Sequence, residues 1–189
     1  MSTAYGSIGM WMLQSSGAVA NWLGQSYQGK SLYEPIDVVL VDRTSSTAAA
    51  ATAKLTDSLA AAGFPVRSLH STGYQAFIDG QKYSQQPPDG SNSAFSDAIA
   101  IETNDHGRVF GPAPLAGGGF VWTAAFSREN FAVVTHTYAS FTQARDNVRT
   151  ALVAKGATDL GSITLGNTYD TDTTSTGDHD GQAVVIALR

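Results

Sequence analysis

The segment Ile36-Asp37-Val38-Val39-Leu40-Val41-Asp42 is short, β-branched and bounded by turn residues, with Glu34-Pro35 ahead of it. That pattern predicts a buried strand. Residues 44–62 follow as an Ala-rich stretch with Leu55 and Leu59 four apart on one face, and Gly63 stands where a helix stops. Phe64–Leu69 returns as a second strand, which completes a β-α-β unit. A second, similar pattern begins at the expected strand Phe131–Tyr138. Ser140-Phe141-Thr142-Gln143 reads as a capping box. The helix it opens runs to about Lys155, with Phe141, Ala144, Val148, Ala151 and Leu152 on one stripe, and Gly156 ends it. Residues 158–164 and 183–188 supply two last strands.

Between these units, Asp79-Gly80 separates Tyr74–Ile78 from Gln81–Tyr83 and predicts a hairpin. Residues 85–92 read as a loop. Residues 98–101, 107–110 and 120–126 read as strands, and 111–119 as a hairpin loop. That Gly-rich loop is not a phosphate loop, because no Lys-Ser or Lys-Thr follows and a strand comes next. Ahead of everything, residues 1–34 form an N-terminal arm. Met10, Trp11, Met12, Leu13, Val19, Trp22 and Leu23 predict a helix from about Ser15, stopped by Gly24. Trp11 and Trp22 are expected to pack on the core; the other reading is a homodimer surface on this arm. The expectation is one α+β domain over 1–189. It has a single mixed sheet and two main helices on one face, in a ferredoxin-like or duplicated β-α-β-β arrangement.

Composition narrows the function classes. Charged residues are 14% of the chain, and the net charge of -5 argues against non-specific nucleic-acid binding, which needs a basic patch. There is no cysteine, which removes disulfides, thiol nucleophiles and thiolate metal sites. No apolar run approaches the roughly 18 residues of a transmembrane helix. Polarity carried by Ser, Thr, Asn, Gln and Gly suits a secreted or periplasmic protein more than a cytoplasmic one, and the start lacks a recognisable signal sequence.

Four histidines lie in polar surroundings: His70 in Leu-His-Ser-Thr-Gly-Tyr, His106 in Asn-Asp-His-Gly-Arg, His136 in Thr-His-Thr-Tyr and His179 in Gly-Asp-His-Asp-Gly. Imidazole binds transition metals and moves protons near neutral pH. His106, His136 and His179 are the candidate catalytic residues. Arg108 and Arg128, expected on neighbouring strands, are candidates to clamp an anion, with Tyr74 and Tyr138 as further ligand contacts. His70, His106, His136 and His179 together form the candidate ligand set for a divalent transition metal. Asp178 and Asp180 are expected to raise the His179 pKa, and a turn held by Gly177 and Gly181 to present that ring towards His106. The carboxylates from Asp170 to Asp180 lack the spacing of a calcium loop, and no Gly-x-Ser-x-Gly elbow supports a serine hydrolase.

Several of these motifs recur in order elsewhere. Val38-Val39-Leu40-Val41, a helix ending Ala-Ala-Gly-Phe, His106-Gly107-Arg108-Val109-Phe110, Trp122-Thr123-Ala124-Ala125-Phe126-Ser127-Arg128-Glu129, Thr135-His136 and Ala144-Arg145-Asp146 resemble the LssY C-terminal domain family over about residues 36–160. Glu129 stands where that family has Asp, and Gln143-Ala144 interrupts the acidic start of the helix. The resemblance implies no defined activity; such domains occur near membrane lipid phosphatases, which is context and not mechanism. Two function classes follow from the residues. One is a module binding a small polar or anionic ligand, such as a glycan, a phosphate or a lipid head group. The other is a metal-assisted hydrolase built on the histidines.

Overall fold

The strand expected at Val38 is the centre of the molecule. The structure, a computed structural model, describes residues 1–14, 21–88, 92–132 and 135–189. In chain order it begins with β1 (Ser2–Thr3), β2 (Gly6–Ser7), β3 (Leu13–Gln14), β4 (Asn21–Tyr27), β5 (Lys30–Tyr33) and β6 (Val38–Asp42). Helix α1 (Ala48–Ala61) leads to β7 (Val66–Ser68), β8 (Tyr74–Ile78), β9 (Gln81–Gln86) and β10 (Ser93–Ser96). Two long strands follow, β11 (Asn104–Pro114) and β12 (Phe120–Ala132), then β13 (Thr135–Ser140). Helix α2 (Phe141–Ala154), β14 (Thr158–Thr164), β15 (Thr174–Ser175) and β16 (Gln182–Ala187) complete the chain.

The fold is α+β. Strands β14-β16-β6-β12-β11-β9-β8-β3 follow one another across an 11-stranded sheet, with β10 and β13 attached to β11 and β12, and β7 to β10. Strand β6 pairs parallel with β16 and antiparallel with β12. Because side chains alternate across a strand, each central strand serves two layers. Val38 and Leu40, with Trp122, Ala124, Phe126, Val184 and Ile186, face a layer that holds Leu55 and Leu59 of α1 and Ala144, Val148 and Leu152 of α2. Both helices thus join one core. Val39, Val41, Val121, Ala125 and Val185 pack in the opposite layer with Ile8, Met12, Ala76 and Ile78. The segment around Met10–Gln14 ties that second layer together. Leu13 and Gln14 pair with β8, while Met12 donates to the Glu34 carbonyl and Ile36 to the Met10 carbonyl.

Helix α2 opens at its expected cap, Ser140 Oγ accepting from Gln143 N, whereas α1 begins later than residue 44, at Ala48, with Thr47 capping it through Ala50 N. Asp79 and Gly80 both take positive φ, 51° and 73°, as a two-residue hairpin turn requires. Among the described residues, no helix is long and apolar enough to cross a membrane.

Several expectations are corrected. Residues 21–27 form a strand in hairpin with β5, where the helical continuation of the arm was expected; residues 15–20, where that helix was to begin, lie outside the described residues, as does the Trp22 side chain. Trp11 packs its ring on Tyr33 at 5.7 Å. Residues 98–101 are turn rather than strand, and Ile99 and Ile101 are exposed; the strand is Ser93–Ser96, all four residues of which are buried. The large sheet does not reduce to a ferredoxin-like unit. Strand β7 runs in the direction of β6 but pairs at a distance from it, antiparallel with β10, and β14 pairs antiparallel with β16 and runs opposite to β13, the strand ahead of α2.

Candidate functional site

The register of β11 against β12 decides which polar side chains meet. Directly opposed residues of an antiparallel pair share a face. Asn104 opposes Glu129, His106 opposes Ser127 and Arg108 opposes Ala125, so Asn104, His106, Arg108 and Glu129 lie on the face away from the helices. Asp105 opposes Arg128, and both lie on the helix face. There Arg128 Nη1 bonds Asp105 at 2.8 Å and Asn147 of α2 donates to the other Asp105 oxygen. The expected pairing of Arg108 with Arg128 around one anion is therefore corrected: strand alternation puts them on opposite faces. Gly107 separates the two site residues. A Cβ there would stand 2.6 Å from the Ala125 carbonyl oxygen and from the Phe126 ring, so only glycine allows this close pairing.

Strand β13 and the turn after β7 bring the other residues. The turn places Leu69 at φ 70°, and His70 beyond it is tied by its N–H to the Asn92 carbonyl. The rings of His70 and His106 lie 4.8 Å apart. His136 Nδ1 is 2.6 Å from Glu129 Oε2, and His106 Nε2 is 3.9 Å from Glu129 Oε1. Leu69, His70, Ser71, His106, Arg108, Glu129 and His136 line one pocket of about 180 Å³. A larger cavity, about 590 Å³, lies beside α1 and is lined by alanines together with Lys54, Asp57, Lys155 and Arg189; it holds none of the expected site residues.

Burial sets the charge of this pocket. His106 is 3% and Arg108 2% exposed. Burial, followed by the Arg108 charge, drives the His70 pKa down to about 4 and holds His106 well below the ordinary imidazole range. Both rings are neutral at pH 7. Asn104 Nδ2 donates to the Glu102 carbonyl, so its Oδ1 accepts from His106 Nδ1 at 2.8 Å, and the neutral ring keeps its lone pair on Nε2. Arg108 donates through Nη2 to the Ser71 carbonyl and hydroxyl at 2.8 and 3.1 Å and lies 5.2 Å from the centre of the Tyr74 ring. Its buried Nε has no hydrogen-bond partner, and it forms no ion pair among the described residues. Burial also raises the Glu129 pKa, against the opposing pull of His136.

Glu34, just ahead of β6, is 3% exposed, and burial raises its pKa to about 7 in spite of Arg108. A carboxyl whose folded pKa exceeds its unfolded value loses stability as pH rises from about 4.5 to 7. Glu34→Gln is therefore expected to raise stability at pH 8 by about 3 kcal/mol and to change little at pH 4. Urea denaturation of both proteins at the two pH values checks this.

The remaining expected residues lie elsewhere. Tyr74 joins the pocket's wall only through Arg108 and through its hydroxyl bond to Ser71 Oγ. Tyr138 packs on Phe141 and bonds Asp178 at the start of α2. His179 is buried beside Phe141, and its Nε2 contacts Asn167 Oδ1 at 2.8 Å. Its expected approach to His106 is corrected, since it does not line the pocket, and so is the expected pKa rise. Asp178 turns to Tyr138, Ser140 and Phe141, and Asp180 to Arg145, so burial dominates and lowers the His179 pKa to about 4. The metal ligand set fails with it: among the described residues no three His, Asp or Glu side chains are grouped to hold a metal ion. Glu129 and Glu34 were not among the expected site residues; the only signal for Glu129 was its place at the end of the Trp122–Glu129 motif.

No family model, curated protein or solved structure matches this chain.

Proposed function

We propose that the protein binds a small anionic ligand, of the size of a phosphate or a charged head group, at Arg108. The observation that carries this reading is a buried guanidinium with no ion-pair partner among the described residues, at the wall of a polar pocket. A buried charge is costly unless paired, and an anion in the pocket would supply the partner. The neutral rings of His70 and His106, 4.8 Å apart, line the same space and can become donors by taking up a proton as the anion enters. A volume near 180 Å³ is below the range of drug-sized sites, about 300–1,000 Å³, and suits a few heavy atoms. The likeness to the LssY C-terminal domain family is carried as a proposal of kinship and adds no chemistry to this reading.

The test is thermal denaturation in a panel of anions at constant ionic strength. A ligand at 100 times its Kd adds about 2.7 kcal/mol of stability. The expected result is a saturable rise in Tm with phosphate over chloride. The same Tm in every anion, or a rise that never saturates, would refute an anion site.

A further inference from the structure

The pocket that Arg108 lines also contains a carboxylate, Glu129, and this restricts which anion can enter. Glu129 Oε2 is held by His136 Nδ1 at 2.6 Å, while Oε1 makes no hydrogen bond among the described residues and faces His106 Nε2 across 3.9 Å. That gap is too long for a hydrogen bond. A fully deprotonated anion seated on Arg108 would set oxygen lone pairs against Oε1 and lose affinity. An anion that carries a hydroxyl would instead donate to it, in a short charge-assisted bond. Building on the anion reading above, we propose that the ligand is inorganic phosphate, recognised in a form that keeps a P–OH group, and that Glu129 rejects sulfate.

The chemistry separates three anions at pH 8. Inorganic phosphate is mainly the dianion and still carries one proton. Sulfate carries none. A phosphomonoester, with its second pKa about 6, carries none either, so methyl phosphate distinguishes free phosphate from an esterified head group. Isothermal titration of the whole chain with each anion is expected to rank phosphate at least about tenfold above both others, the discrimination expected when a buried acceptor is left facing a ligand without a donor. In Glu129→Gln the amide can donate, so sulfate is expected to gain affinity and the preference to shrink to within about threefold. The wild-type ranking stands by itself if that variant folds poorly. Sulfate or methyl phosphate binding as tightly as phosphate would overturn the selection and leave the anion site intact. Binding of none of the three would overturn both.

Discussion

Replacing Arg108 by methionine is expected to abolish anion binding and to leave the protein as stable as before, or more so. The guanidinium is 2% exposed, lacks a carboxylate partner among the described residues and leaves Nε unsatisfied. Even a buried ion pair exchanged for apolar side chains of similar volume is often neutral or stabilising by about 1–4 kcal/mol, and a buried charge without a partner costs more to keep. Two bonds to Ser71 are lost, and they work against that gain. For the ligand the consequence is one-sided. Losing a desolvated charge partner costs about 2–5 kcal/mol, or 30-fold and more in Kd. Parallel thermal melts and titrations of Arg108→Met separate the two effects. A variant that melts many degrees lower and keeps its anion response would make Arg108 a structural clamp on the Ser71 turn.

His179→Ala is expected to do the reverse. Asn167 Nδ2 donates to the Met10 and Ile36 carbonyls at 2.8 Å each, so its Oδ1 accepts from His179 Nε2. This bridge joins the segment after β14 to the chain entering β6. Truncating the ring leaves Asn167 Oδ1 without its donor and opens a cavity, together about 2–3 kcal/mol. For a chain of this size that lowers Tm by roughly 5–10 °C. Anion binding should not change, because His179 is not at the pocket. The pH dependence gives a second check. The folded pKa of about 4 lies below the unfolded value of about 6.5, so His179 contributes stability that is present at neutral pH and lost as pH falls through that window, about 3 kcal/mol in all. Wild type and variant should converge towards pH 4. Parallel stability curves, or loss of anion binding, would contradict the assignment.

Local patterns were readable in the chain, and the pairing of distant segments was not. The central strand, both helices, the Ser140 cap and the Asp79-Gly80 hairpin follow from periodicity and turn chemistry. The helix expected near Trp22 fails for the described residues 21–27 because helical spacing in a short apolar set does not exclude a strand, and pairing with β5 decides it. His70, His106, His136 and Arg108 were recognisable as candidates. Their meeting, and the exclusion of Arg128, rest on the β11–β12 register, which puts alternate residues on opposite faces. His179 shows the limit of reasoning from neighbours in sequence: adjacent carboxylates suggest a raised pKa, but both turn to other partners. Glu34 gave no signal, since its effect on the pocket arises only from burial beside Arg108.

In the proposed complex an anion sits against Arg108 among the three pocket histidines. Phosphate titration followed by ¹H–¹⁵N spectra of the histidine rings and the arginine Nε groups tests it most directly. The expected result is saturable movement of Arg108 Nε and of the His70, His106 and His136 rings, with the His179 ring unmoved. Shifts confined to exposed arginines, or none at all in the pocket, would contradict it.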